Sequence, residues 1–278
     1  MGKLVDKLRD ISQAGGSGFG FLGRAPASAR KPRPAAILVT LKANDTASAE
    51  AAAKNGADAI ILTDWTPSAN LKALKSALDA AGTLWGIELQ SASANGETLQ
   101  RAREAGAAFA ILAPSASAAT LFAEVEQLDR VITVEPPQDD LALMLLRGQS
   151  LLPAQAALVR LQLGAKDLAG LTISDFTRLK LIVESLRFPA LVTLAGAPDP
   201  ASVKTLVNLG AAGLVLTSTE QLGPTIKTLR EELERTPMPA GERPTVLLGG
   251  LVGGAGEAAP AQPRREPERE PEREPNHE

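Results

Sequence analysis

Asn55-Gly56-Ala57-Asp58-Ala59-Ile60-Ile61-Leu62-Thr63 sets a pattern that returns twice further along the chain. Ala105-Gly106-Ala107-Ala108-Phe109-Ala110-Ile111-Leu112 is the second copy, and Leu209-Gly210-Ala211-Ala212-Gly213-Leu214-Val215-Leu216-Thr217 is the third. In each, a glycine closes a helical stretch, where the backbone often needs positive φ. A small alanine and an apolar run of strand length follow. Gly56, Gly106 and Gly210 are separated by 50 and 104 residues, one and two turns of a single period. The missing copy falls near residue 158, where Ala156–Leu161 supplies the apolar run without the glycine. Two strand–helix units fit in each period, so the repeat is a quarter of an eightfold structure.

Working outward, eight apolar runs read as strands: Ala36–Leu41, Ala59–Thr63, Leu84–Leu89, Ala108–Leu112, Arg130–Val134, Ala157–Leu161, Ala190–Leu194 and Gly213–Leu216. Near-continuous apolar character marks strands covered on both faces, as in parallel sheets. Helical patterns alternate with them at Ala47–Asn55, Asn70–Ala81, Glu97–Glu104, Ala118–Leu128, Ile173–Ser185 and Ser202–Leu209. Parallel neighbours need crossover connections. Eight units in this length predict an α/β fold, a (β/α)8 TIM barrel rather than a doubly wound sheet.

The barrel is expected over residues 35–236, preceded by an extension at 1–34 and followed by a Pro/Gly/Glu/Arg-rich tail at 237–278. In the extension, Leu4, Leu8 and Ile11 give residues 3–13 one apolar helical stripe, expected to cap the barrel. The Gly-rich loop 15–23 lacks the Gly-Lys-Ser/Thr of a nucleotide loop. Its Phe19 and Phe21 could plug the barrel floor or cover the mouth. Residues 257–278 carry spaced prolines and almost no apolar side chains, the composition of a disordered segment. The apolar island 245–252 could dock on the barrel or hold a protein partner.

Composition narrows the chemistry. The 278 residues contain no Cys and no Tyr, and the only His is His277. Thiolate nucleophiles, Cys-zinc sites and a Ser–His–Asp triad are therefore excluded from the barrel. A net charge of −3, with 29 Lys plus Arg against 32 Asp plus Glu, offers no basic field for nucleic acid. No run is long and apolar enough for a transmembrane segment, and a cytoplasmic location is the expectation.

Residues 35–220 resemble the ribulose-phosphate-binding and flavin-binding (β/α)8 barrels. The likeness is carried by Val192-Thr193-Leu194-Ala195-Gly196-Ala197, the helix from Asp199 to Leu209, and Gly210–Leu216 ending in Thr217-Ser218-Thr219. It implies a phosphate site after the seventh and eighth strands, at Gly196, Thr217 and Ser218, on backbone N–H groups and a helix N-terminus. Within the group the nearest likeness is to indole-glycerol-phosphate synthase, through Thr40-Leu41-Lys42, Leu62-Thr63-Asp64 and Val134-Glu135. It stops at Glu88, where that family has a second Lys, and at Arg160-Leu161-Gln162, where it has an Asn-containing loop. That synthase activity is not expected.

Independently of the likeness, polar residues follow the strands where TIM-barrel active sites form: Lys42, Asp64, Glu88, Ser115, Glu135, Gln162, Gly196 and Thr217. Lys42, Glu88, Glu135 and Asp64 are the candidate catalytic residues. One cation facing three carboxylates could give a general base, a Lys-based covalent catalyst or an oxygen site for Mg²⁺. No metal site is assigned on this basis. Three functions stay open: an enzyme or former enzyme, lyase- or isomerase-like, acting on a small phosphorylated ligand; a non-catalytic scaffold with a C-terminal docking segment; and an FMN-binding oxidoreductase. Trp65 and Trp85 are expected to pack beneath loops.

Overall fold

A computed structural model describes residues 2–13, 32–67, 71–90, 94–136, 148, 151–161, 164, 167–168, 170–194, 198–217 and 221–237. The chain divides after Val246, and every described residue belongs to the first unit. The Gly-rich loop, the island 245–252 and the charged tail lie outside the described residues, as do Gln162, Gly196, Ser218 and Thr219.

Eight parallel strands close into a barrel in chain order: β1 (Ala36–Lys42), β2 (Ala59–Thr63), β3 (Leu84–Leu89), β4 (Phe109–Leu112), β5 (Asp129–Val134), β6 (Ala156–Arg160), β7 (Ala190–Thr193) and β8 (Ala211–Thr217). Helix α1 (Lys3–Gln13) precedes them. Helices α2 (Thr46–Lys54), α3 (Lys72–Ala81), α4 (Gly96–Ala105), α5 (Ala118–Phe122), α6 (Ile173–Ser185), α7 (Pro200–Leu209) and α8 (Leu222–Arg235) lie between or after them. The repeat's glycines take the conformation their place demands: φ is 95° at Gly56, 102° at Gly106 and 96° at Gly210. An L side chain in that region is strained, whereas glycine is not.

Helix α5 is shorter than the apolar spacing predicts. Leu121, Val125 and Leu128 are all buried, and their separations imitate a helical stripe. The helix nevertheless stops at Phe122, with Ala123 extended at ψ 129° and Gln127 left-handed at φ 59°. The Arg130 guanidinium occupies the Ala123 carbonyl, an acceptor that a continuing helix would use itself. Leu121 is buried from the helix, and Val125 and Leu128 are buried from the non-helical segment that follows it.

Side chains fill two layers. Between barrel and helices lies the larger core, which includes Trp65 and Trp85. Inside the barrel, Leu38, Ile61, Phe109, Ile111, Val131, Leu158, Leu191 and Val215 form a second cluster that takes in Leu4 and Leu8 of α1. The amphipathic stripe of α1 thus closes the amino-terminal end of the strands. Asp129, the first residue of β5, fixes it by accepting the Leu4 and Val5 N–H groups at 2.8 and 3.3 Å. Among the described residues no helix is long and apolar enough to cross a membrane.

Candidate active site

Residues paired between neighbouring strands share a face, so the lumen can be followed round the barrel: Thr40 pairs Ile61 and Thr217, Glu88 pairs Ile111, Thr133 pairs Leu158, and Arg160 pairs Thr193. Strands in such a barrel are staggered by about one residue each, and alternate strands supply the side chains of one level. By that geometry Thr40, Glu88, Thr133 and Thr193 form one level, from the four odd-numbered strands. Thr63, Arg160 and Thr217 stand just outside it, and Lys42 and Glu135 at the rim. Beneath this level the lumen is apolar, packed by Ile61, Ile111, Leu158 and Val215. The interior changes from hydrocarbon to polar within a single pleat, at the end where barrel sites form.

Glu88 and Arg160 meet across this level. Their strands are three apart in the closed sheet, yet an Arg160 Nη2–H donates to Glu88 Oε1. Glu88 is the more enclosed partner, with its side chain 16% exposed against 43% for Arg160. Two polar atoms are left over. Arg160 Nε is buried with no hydrogen-bond partner, and so is Thr133 Oγ1, in a residue only 5% exposed. Buried polar groups seldom go unpaired, and both of these belong to the lumen's polar end.

The other predicted residues are placed differently. Lys42 ends β1 and Glu135 directly follows β5, both as exposed side chains. Neither forms an ion pair among the described residues, and the cation paired with Glu88 is Arg160 rather than Lys42. Asp64 is exposed just past β2 and left-handed at φ 54°, a conformation Asp tolerates better than most residues. Thr217 is exposed at the end of β8. Asp64, Glu88 and Glu135 do not come together, and among the described residues no cluster of three or more metal-type ligands forms. Trp65 and Trp85 are buried in the outer core.

The helices beyond β7 and β8 begin differently. Asp199 caps α7 by accepting the Ser202 N–H at 2.7 Å. Helix α8 follows Thr217 and starts at Leu222 with no side-chain cap, so the first turn keeps N–H groups that intrahelical bonding cannot satisfy.

No family model matches the sequence, and no curated protein matches it. Solved structures match the fold. Thiamine phosphate pyrophosphorylase from Pyrococcus furiosus superposes with a TM-score of 0.54 and 15% identity, covering 73% of this chain and 97% of its own. A 3-keto-L-gulonate-6-phosphate decarboxylase from Vibrio cholerae gives 0.54 and 15%, over 75% and 100%. Orotidine 5'-phosphate decarboxylase from Pyrococcus horikoshii gives 0.53 and 12%, over 71% and 98%. At these identities the likeness defines a (β/α)8 barrel and no narrower class.

Proposed function

We propose that this barrel binds a small phosphorylated molecule at the carboxyl ends of its strands and acts on it through Glu88. The observation that carries the reading is the Glu88–Arg160 pair, standing with the unpartnered Thr133 hydroxyl directly above an apolar lumen. A charged pair has no structural need to stand there, because hydrocarbon packs the same space one level lower. Glu88 is the group suited to accept a proton in a lyase or isomerase step, with Arg160 stabilising the negative charge that develops. Lys42, Glu135 and Asp64 stand nearer the solvent, where they would meet the outer part of a ligand.

The phosphate belongs, in this reading, to Gly196, Thr217 and Ser218. The uncapped start of α8 supports that assignment, because orphan N–H groups and the helix dipole favour an anion. The three barrels above are each named for a phosphate ester, which agrees with the assignment. The test is a thermal-shift screen of phosphate esters followed by calorimetry. A binding ester raises the melting temperature by mass action. Gly196→Asp should abolish binding by bulk and like charge, while Glu88→Gln should keep binding and lose turnover. A flat response across the screen overturns the reading.

A further inference from the structure

We propose that Arg160 is the receptor for a carboxylate on the ligand, and that this carboxylate takes the place of Glu88 on the guanidinium. The inference rests on the phosphorylated-ligand reading and names a second recognition point on the same molecule. Arg160 uses Nη2 for Glu88, and its Nε–H has no partner although it is buried. Thr133 Oγ1 is unpartnered too, on the neighbouring strand, and Arg160 stands one lumen position beyond Leu158, the register partner of Thr133. The site therefore presents a guanidinium edge and a hydroxyl with hydrogen bonds still to make.

An oxyanion satisfies both. The Nε–Nη2 edge of a guanidinium matches the two oxygens of a carboxylate, and the pairing is bidentate. A carboxylate is preferred to a phosphoryl group because it brings one negative charge rather than about two beside Glu88. The Arg160 side chain is 43% exposed although its Nε is buried, so the carboxylate gains the Nε–Nη2 edge by displacing Glu88 from it. When the ligand's carboxylate occupies this edge, Glu88 is released from its partner. The base is thus freed only in the presence of the molecule it is to act on.

The experiment follows the Arg160 Nε–H resonance in the isotope-labelled full-length chain, assigned by its loss in R160K. Three probes are added: phosphoglycolate, ethyl phosphate, which lacks the carboxylate, and glycolate, which lacks the phosphate. Phosphoglycolate should move the resonance and bind about tenfold more tightly than ethyl phosphate, the gain expected of one charged bidentate contact. R160K should erase that preference, and E88Q should strengthen phosphoglycolate binding by removing the internal competitor. If ethyl phosphate binds as tightly as phosphoglycolate, or the resonance stays still, the carboxylate role is wrong while phosphate binding stands. If glycolate moves the resonance and phosphate adds no affinity, the carboxylate role stands and the phosphate reading falls. If no probe binds, both are overturned. E88Q keeps the test decisive should R160K fold poorly.

Discussion

Arg33 and Asp58 form a buried ion pair, Nη2 to Oδ1 at 2.8 Å, at the end of the barrel away from the candidate site. The other carboxylate oxygen accepts the Ile37 N–H at 2.9 Å, so one side chain ties the linker to the start of β1. A buried pair owes its strength to both members being present. Arg33→Met should therefore strand the Asp58 charge and cost about 3–5 kcal/mol. Urea denaturation measures it, and a loss below about 1 kcal/mol would mean that solvent reaches the pair.

Phe109 fills the room that a side chain at Gly86 would need. A Cβ there would stand 2.4 Å from the Phe109 carbonyl oxygen and 2.5 Å from its ring. Gly86→Ala must push apart two adjacent strands, and about 1–3 kcal/mol of destabilisation is expected, as for an overpacked core. Phe109→Leu in the same chain should recover only part of this, because the carbonyl clash is independent of the ring. Full recovery in the double variant would place the conflict in the side chain alone.

Asp129 gives the fold a pH signature. Burial raises its carboxyl above the ordinary 3.8, against the pull of the Leu4 and Val5 N–H bonds; Asp6 adds to the rise, and the chain's amino group opposes it. The folded chain thus holds this proton more tightly than the unfolded one. Its stabilising contribution is full below the ordinary value and is lost as pH rises through the raised one. Asp129→Asn keeps an acceptor for α1 and does not titrate. Denaturation at a series of pH values should show the wild type gaining stability over the variant on acidification toward pH ~4. Parallel curves would show that Asp129 is not desolvated.

The strands were readable because their signal is local. Continuous apolar runs give β2 and β3 their observed ends, and β8 extends past the expected Gly213–Leu216 at both ends, to Ala211 and Thr217. The end of α5 was not, since Val125 and Leu128 are buried from a non-helical segment whose shape depends on Arg130. The site divides the same way. Glu88 is visible as a carboxylate near a strand end, and Thr40, Thr133, Arg160 and Thr193 are likewise lone polar residues late in apolar runs. Their meeting is not visible, because it depends on the register of strands 72 residues apart, as Glu88 and Arg160 are. Alternation could not have chosen Arg160 over Gln162, since both share the parity of Leu158.

Thr133 should behave as a residue kept at some cost to stability. Its side chain is buried and its Oγ1 has no partner, so the hydroxyl adds nothing to the free protein. Valine has nearly the same shape and no polar atom. Leaving a buried hydroxyl unpaired costs about 1–3 kcal/mol, and Thr133→Val should recover up to about 1 kcal/mol of it once local relaxation is allowed for. Most core substitutions destabilise, so a rise in the urea midpoint is a discriminating result. The same variant should bind phosphoglycolate several-fold more weakly, because a hydrogen bond made only in the complex is lost. A residue with a purely structural role would lower the urea midpoint and leave the affinity as it is. Lower stability with unchanged binding would therefore show that Thr133 already has a partner, such as a buried water, and serves the fold rather than the ligand.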